Sequence, residues 1–174
     1  MKTNLLKTAG LLAGCVRFFF YFTIALYAFI TLVGLGGDSF AIGSWEYTFN
    51  KPIDQISVWL ILLTTGLILV VLAALSHIAH LIQKLCKLFL EEDYFSSASL
   101  ELYQKLFIGL LVLTASQLGL TTLFVLISAV GPNNFLNLRW SDFILNALFL
   151  FATYFVWTLV QKGQQLETEN SEFI

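Results

Sequence analysis

The amino-acid sequence predicts an all-α membrane protein in which four transmembrane helices form an antiparallel bundle, with helix 2 extended into the cytoplasm. Hydrophobic residues make up 58% of the 174 residues and charged residues only 11%, whereas a soluble domain is nearer one quarter charged. Four long apolar segments lie at about 18–35, 56–82, 106–130 and 142–160. Because about 20 apolar residues cross a core of about 30 Å as a helix, each segment predicts one span of a single domain.

The first 17 residues hold three basic side chains around a weak apolar run, which predicts a short interfacial helix leading into the first span. Residues 12–15 also match the pattern of a bacterial lipoprotein cleavage site, with Cys15 as the lipidated residue. The apolar run before Cys15 is shorter than the roughly 7–15 residues of a signal sequence. We therefore interpret Cys15 as a small apolar residue of the helix and leave its lipidation open.

The connection at 36–55 carries four aromatic residues that alternate partly with polar ones: Phe40, Trp45, Tyr47 and Phe49. This pattern favours an aromatic belt lying along the membrane interface. A short hairpin is an alternative conformation, and a binding loop is an alternative role.

The second span is longer than a bilayer requires, so either it tilts or its last turns stand clear of the lipid. Leu81, Leu85, Leu88 and Phe89 continue a helical apolar stripe, while polar residues occupy the opposite face. This favours a helix that extends beyond the membrane.

The middle connection, residues 83–105, contains an acidic turn and a helix-start signal. The acidic residues are Glu91, Glu92 and Asp93. Ser96 is a predicted N-cap, because its hydroxyl can accept a hydrogen bond from a backbone N–H of the first helical turn. Phe95 and Leu100 stand at the positions of a hydrophobic staple. The connection is therefore predicted to be a shaped corner.

The third and fourth spans have polar or small residues that predict contacts between helices. Ala115 and Gly119 form a small-xxx-small pair that lets another helix approach closely. Gln117 lies near the middle of its span, and we expect it to bond to a neighbouring helix, with Asn146 as the candidate partner. The tail at 161–174 is acidic and predicted to begin as a helix.

The distribution of basic residues predicts the orientation in the membrane. On one side lie Lys2, Lys7, Arg17, Lys84, Lys87, Lys105 and Lys162, and on the other Lys51 and Arg139. The positive-inside rule then places both termini and the middle connection in the cytoplasm. We expect a multi-pass protein of the bacterial cytoplasmic membrane, with Cys15 and Cys86 toward a reducing compartment.

The sequence disfavours several kinds of chemistry. The net charge of -2 argues against direct nucleic-acid binding. The interiors of the first, third and fourth spans contain no Asp, Glu, Lys, Arg or His, which disfavours ion-coupled transport by this chain alone. His77 and His80 share one helix face without further metal ligands. We predict no catalytic residue, no metal site and no cofactor, and therefore no enzyme.

Two segments resemble the YoaS-like family of small four-helix bacterial membrane proteins, whose domain is catalogued as of unknown function. The first is Phe95-Ser96 before a Leu-rich span, with Ser99 where the family usually has Asn. The second is the spacing of Gly163, Leu166, Glu169 and Asn170 in the tail. The resemblance implies no activity or cofactor. Its members are commonly encoded beside a small helix-turn-helix regulator, which implies that the membrane protein holds or controls that regulator.

These observations predict a membrane protein that binds a cytosolic partner, a small helix-turn-helix transcription regulator, through the middle connection and the tail. The predicted partner-binding residues are Leu85, Leu88, Phe89, Glu91, Glu92, Asp93, Tyr94, Phe95, Leu166, Glu169 and Asn170. Contacts within the protein or with the lipid bilayer are the alternative for the same residues. The alternative function is an accessory transmembrane subunit of a transporter or channel, with the third and fourth spans against the larger subunit. A weaker alternative is an oligomeric pore lined by polar residues of the third span.

Overall fold

A computed structural model describes the chain at residues 2–49, 51–91, 94–126 and 140–172, and this part is helical without strands. In chain order the helices are α1 (Lys2–Leu35), α2 (Ser39–Phe49), α3 (Val58–Leu90), α4 (Ser97–Leu126) and α5 (Trp140–Glu172), with a 3-10 turn at Ile53–Gln55. Helices α1, α3, α4 and α5 are long and apolar enough to cross a membrane. The prediction of an all-helical chain with four candidate spans is confirmed. The end of the third predicted span, residues 127–130, lies outside the described residues.

Helix α1 runs without interruption from Lys2 to Leu35, so the predicted short interfacial helix and first span are one continuous helix. Two glycines on one face of α1 bring it close to α3. A Cβ on Gly10 would lie 3.5 Å from the Cβ of Cys86, and a Cβ on Gly14 would lie 3.1 Å from the Gln83 side-chain nitrogen. The four-residue spacing places both glycines on the same side of the helix. The absence of side chains there lets α1 and α3 pack closely.

The connection between α1 and α3 folds as helix α2, so the hairpin alternative is wrong. Asp38 caps this helix, because its Oδ1 accepts hydrogen bonds from the backbone N–H groups of Phe40 at 3.0 Å and Ala41 at 3.2 Å. Gly37 precedes the cap with a φ of 93°, a conformation that favours glycine. These local signals start a helix where the alternating aromatics alone are compatible with an extended strand.

Only part of the predicted aromatic belt is exposed. Phe40 and Tyr47 are exposed, but Trp45 and Phe49 are buried. Trp45 packs against Gly34 of α1, where an added Cβ would lie 2.7 Å from its ring. The ring of Phe49 lies 6.1 Å from that of Phe124 in α4. Helix α2 therefore closes this end of the protein against α1 and α4.

Helix α4 begins as the sequence predicts. The Ser99 backbone N–H donates to the Ser96 hydroxyl at 3.2 Å, so the predicted N-cap is confirmed. The Ser99 side chain is fully buried, with its hydroxyl 2.9 Å from the carbonyl oxygens of both Tyr94 and Ser96. These bonds hold the corner that precedes α4.

The spans contact one another mainly in the order α1–α3, α3–α4 and α4–α5. A larger share of α3 and α4 is buried within the protein, 28% against 11% for α1 and α5. Gly109 of α4 approaches α3 most closely, since an added Cβ would lie 3.3 Å from Ile78. Ala115 is exposed and Gly119 has only ordinary contact with Leu67. The close approach of α4 to α3 is therefore at Gly109, not at the predicted small-residue pair.

The predicted bond between the third and fourth spans is confirmed. The Asn146 side-chain nitrogen donates to Gln117 Oε1 at 2.5 Å, which joins α4 and α5 within the apolar part of both helices. Further along the same pair of helices, the Phe107 ring lies 6.0 Å from Tyr154 and 6.2 Å from Trp157. Polar and aromatic contacts together fix the position of α5 on α4.

Candidate partner-binding surface

The corner between α3 and α4 has a defined conformation at both of its described ends. The Glu91 backbone N–H lies within hydrogen-bond distance of the carbonyl oxygens of Lys87, 3.2 Å, and Leu88, 3.1 Å, which ends α3. After the acidic turn, the Tyr94 ring lies 5.4 Å from the ring of Phe89. Aromatic pairs at this separation attract each other. The chain therefore folds back onto the last turn of α3 before α4 begins.

The corner is joined to the tail through Phe95 and Gly163. A Cβ placed on Gly163 would lie 2.5 Å from two ring carbons of Phe95, which is closer than real side chains approach. A larger side chain at position 163 would require the Phe95 ring to shift. The middle connection and the tail, which are about 70 residues apart in sequence, thus meet at one contact.

Five of the predicted partner-binding residues are exposed around this contact, and we call them the corner–tail surface: Glu91, Tyr94, Phe95, Leu166 and Glu169. The exposed fractions of the apolar members are 43% for Tyr94, 45% for Phe95 and 60% for Leu166. Glu91 and Glu169 add exposed carboxylates on the same two segments. A central apolar patch with charged residues at its rim is the usual composition of a protein–protein interface.

The remaining predicted residues occupy other places. Leu85 is only 6% exposed and packs with Tyr103 and Val160, so it belongs to the interior and offers no surface to a partner. Leu88 and Phe89 are half-buried, and Phe89 packs against the same cluster. Glu92 and Asp93 lie outside the described residues. Asn170 lies on α5, but its side chain is outside the described part.

A part-buried contact between α1 and α3 is not indicated by the sequence. Arg17 donates from Nη1 to Nδ1 of His80 at 2.7 Å, and its guanidinium carbon lies 5.5 Å from the centre of the Tyr21 ring. Since Arg always donates, Nδ1 of His80 accepts and the imidazole is neutral with its proton on Nε2. The only sequence signal for this contact is that Arg17 and His80 lie at the edges of two successive spans. Nothing local indicates that they meet.

The described residues contain no group of three His, Cys, Asp or Glu side chains that could hold a metal ion. Cys15 and Cys86 are both free thiols, one exposed and one buried. The ion pair of the described corner region is Lys105 with Glu101, one helical turn apart at 2.5 Å and exposed. An exposed pair of this kind contributes little to stability.

No family model, no curated protein and no solved structure matches this chain. The resemblance to the YoaS-like family therefore stays a prediction from the residues that carry it.

Proposed function

We propose that the protein is a membrane-anchored binding protein that holds a cytosolic partner at the corner–tail surface. The observation that carries the proposal is the contact of Phe95 with Gly163. It joins the two segments richest in exposed polar and apolar residues at one end of the protein into a single surface. The three apolar side chains there are exposed although neighbouring ones, such as Leu85, are buried. Exposed apolar residues at a fixed corner are suited to contact another protein.

The proposed topology is an antiparallel bundle with both termini and the corner in the cytoplasm. The pairing of α1 with α3 supports an antiparallel arrangement, because residue numbers rise along α1 while those of the contacting residues on α3 fall. Gly10 faces Cys86, Gly14 faces Gln83, and Arg17 bonds to His80. Helix α3 has 33 residues, about 50 Å at 1.5 Å per residue, whereas the bilayer core is about 30 Å thick. The excess supports an α3 that extends into the cytoplasm. The seven-to-two division of basic residues supports the orientation.

The proposed partner is a small helix-turn-helix transcription regulator in a membrane-linked regulatory pair. The resemblance to the YoaS-like family supports this choice, because members are commonly encoded beside such regulators. The carboxylates of Glu91 and Glu169 on the corner–tail surface also suit a basic partner, since complementary charge speeds association and fixes its register. The chain acts as a binding protein in this proposal, with no reaction of its own.

Photo-crosslinking from single positions tests the proposal. A photoreactive residue in place of Tyr94 or Leu166 is expected to capture a helix-turn-helix protein in native membranes. The matched control is Phe40, which is equally apolar and 76% exposed but lies on α2, beyond the other end of the spans. Capture of the same protein from Phe40 would contradict a specific surface, and capture of no DNA-binding protein from Tyr94 and Leu166 would contradict the proposed partner.

The same experiment distinguishes the alternative function, an accessory subunit of a transporter or channel, from the proposed one. A photoreactive residue at Phe151 of α5, which is 69% exposed, lies within the predicted fourth span, about residues 142–160. An accessory subunit is expected to crosslink there to a large polytopic transporter or channel. The proposed binding protein is expected to crosslink there only to lipid.

A further inference from the structure

A pocket of about 330 Å³ lies between the N-terminal part of α1 and the C-terminal part of α3. Its walls are mostly apolar, and two lysines and a glutamine stand among them: Leu6, Lys7, Gly10, Leu11, Gln83, Cys86, Lys87 and Leu90. The spacing of these residues in each helix, three or four apart, places them on the facing sides. The volume is at the lower end of the range typical of ligand sites.

The depth of the pocket follows from the length of α1. Counting about 20 residues back from Leu35 at 1.5 Å each, the apolar core ends near Val16. Leu11 lies about 7 Å further along the helix and Lys7 about 13 Å. The bond between Arg17 and His80 marks the same level on α3. The apolar part of the pocket therefore adjoins the lipid headgroup layer, and its lysines reach the water.

The charge of the pocket is positive. Neither Lys7 nor Lys87 forms an ion pair with a described residue, and even Glu91, one turn beyond Lys87, is not within ion-pair distance. Lys84 and Arg17 add further positive charge on the same two helices. An apolar cleft at headgroup depth with two ammonium groups, neither of them in an ion pair with a described residue, is complementary to a molecule with an anionic phosphate and a hydrocarbon chain.

We propose that this pocket binds one anionic phospholipid, with its phosphate between Lys7 and Lys87 and the start of an acyl chain against Gly10 and Leu11. Gly10 keeps the floor of the pocket open, because a larger side chain there would meet Cys86. The proposal is independent of the corner–tail surface and of any protein partner. It uses only the placement of α1 and α3 in a membrane.

Native mass spectrometry of the full chain in detergent tests the proposal, with phosphatidylglycerol and phosphatidylcholine of the same acyl chains as probes. The protein is expected to retain phosphatidylglycerol in preference. Replacing both lysines (Lys7→Gln with Lys87→Gln) is expected to weaken its binding about 30-fold, from about 1 kcal/mol per basic residue near the membrane surface. The matched control, Lys51→Gln with Lys162→Gln, removes the same charge at positions that do not line the pocket and is expected to leave phosphatidylglycerol retention unchanged.

Two further measurements test the apolar part of the pocket and the need for an acyl chain. Leu11→Trp fills the apolar part of the pocket without altering its charge and is expected to lower phosphatidylglycerol retention. Glycerol phosphate, which has the anion but no acyl chain, is expected not to bind. Equal retention of the two lipids, equal loss in the control variant, or equal binding of glycerol phosphate would each overturn the proposal.

Discussion

The bond between Arg17 and His80 is the most consequential single contact for the packing of α1 on α3. A guanidinium at the edge of the apolar core needs an acceptor, since a buried donor without a partner costs about 1–3 kcal/mol. His80 supplies that acceptor at 2.7 Å. Tyr21 adds a cation–π contact to the same guanidinium, which contributes about 0.5–2 kcal/mol.

Substitution of His80 by Leu is expected to destabilise the protein by about 1–3 kcal/mol, because Arg17 loses its acceptor. The measurement is the midpoint of thermal unfolding in detergent. His77→Leu is the matched control, because His77 is exposed, lies one turn earlier on the same helix, and faces Lys105 rather than Arg17. His80→Gln, which keeps an acceptor, is expected to recover part of the loss. An equal effect of His77→Leu would contradict the role given to His80.

At the residue scale, the sequence is sufficient to predict a contact where the partner is a few residues away or where both residues lie at a known depth in the membrane. The sequence predicts Ser96 as a cap because capping depends on four successive residues. Gln117 and Asn146 were paired because an amide in the middle of a span needs a partner from a helix at the same depth. Arg17 and His80 are 63 residues apart, and their pairing depends on the register of two helices. That register is fixed by the packing of α1 on α3, which cannot be inferred from the identities of the two residues.

At the element scale, α1 packs against α3 with Gly10 and Gly14 on the facing side. This spacing is the small-xxx-small pattern of membrane helix pairs. The sequence does not indicate its role, because the two glycines lie before the first predicted span. Substitution of Gly14 by Leu is expected to force α1 away from Gln83, at a cost of about 1–3 kcal/mol for overpacking. The thermal unfolding midpoint in detergent should fall accordingly. Gly66→Leu is the control, because a Cβ on Gly66 of α3 has no neighbour within 4 Å; an equal fall there would indicate a general effect of losing glycine.

Helix α2 forms where the sequence left a short hairpin open as an alternative. The partly alternating aromatics of this connection are compatible with a strand, a belt or a helix. Asp38 decides for a helix by capping it, and the burial of Trp45 and Phe49 against α1 and α4 stabilises it. The cap could have been recognised from the sequence, whereas the burial depends on where the spans end. The four spans were predictable because their length and composition are set by the bilayer alone.

At the scale of the whole molecule, the four spans place most basic residues at the end that also carries the corner–tail surface and the α1–α3 pocket. Lys7 and Lys87 line the pocket, while Lys51 lies beyond α2 at the other end. Reversing the protein in the membrane would move seven basic residues across it. The positive-inside rule disfavours that arrangement. The proposed function therefore predicts one orientation, and the reverse orientation would place the corner–tail surface outside the cytoplasm.

Thiol labelling of intact cells that express the protein measures that orientation directly. In a background with Cys15→Ser and Cys86→Ser, single cysteines are introduced as Phe40→Cys on α2 and Leu166→Cys on α5, both at exposed positions. A membrane-impermeant maleimide is expected to label position 40 in intact cells and position 166 only after the cells are permeabilised. Labelling of position 166 in intact cells would place the tail outside, where no transcription regulator could reach it. Because the Phe95–Gly163 contact fixes the corner to the tail, this one result decides the side of the membrane on which the whole surface lies.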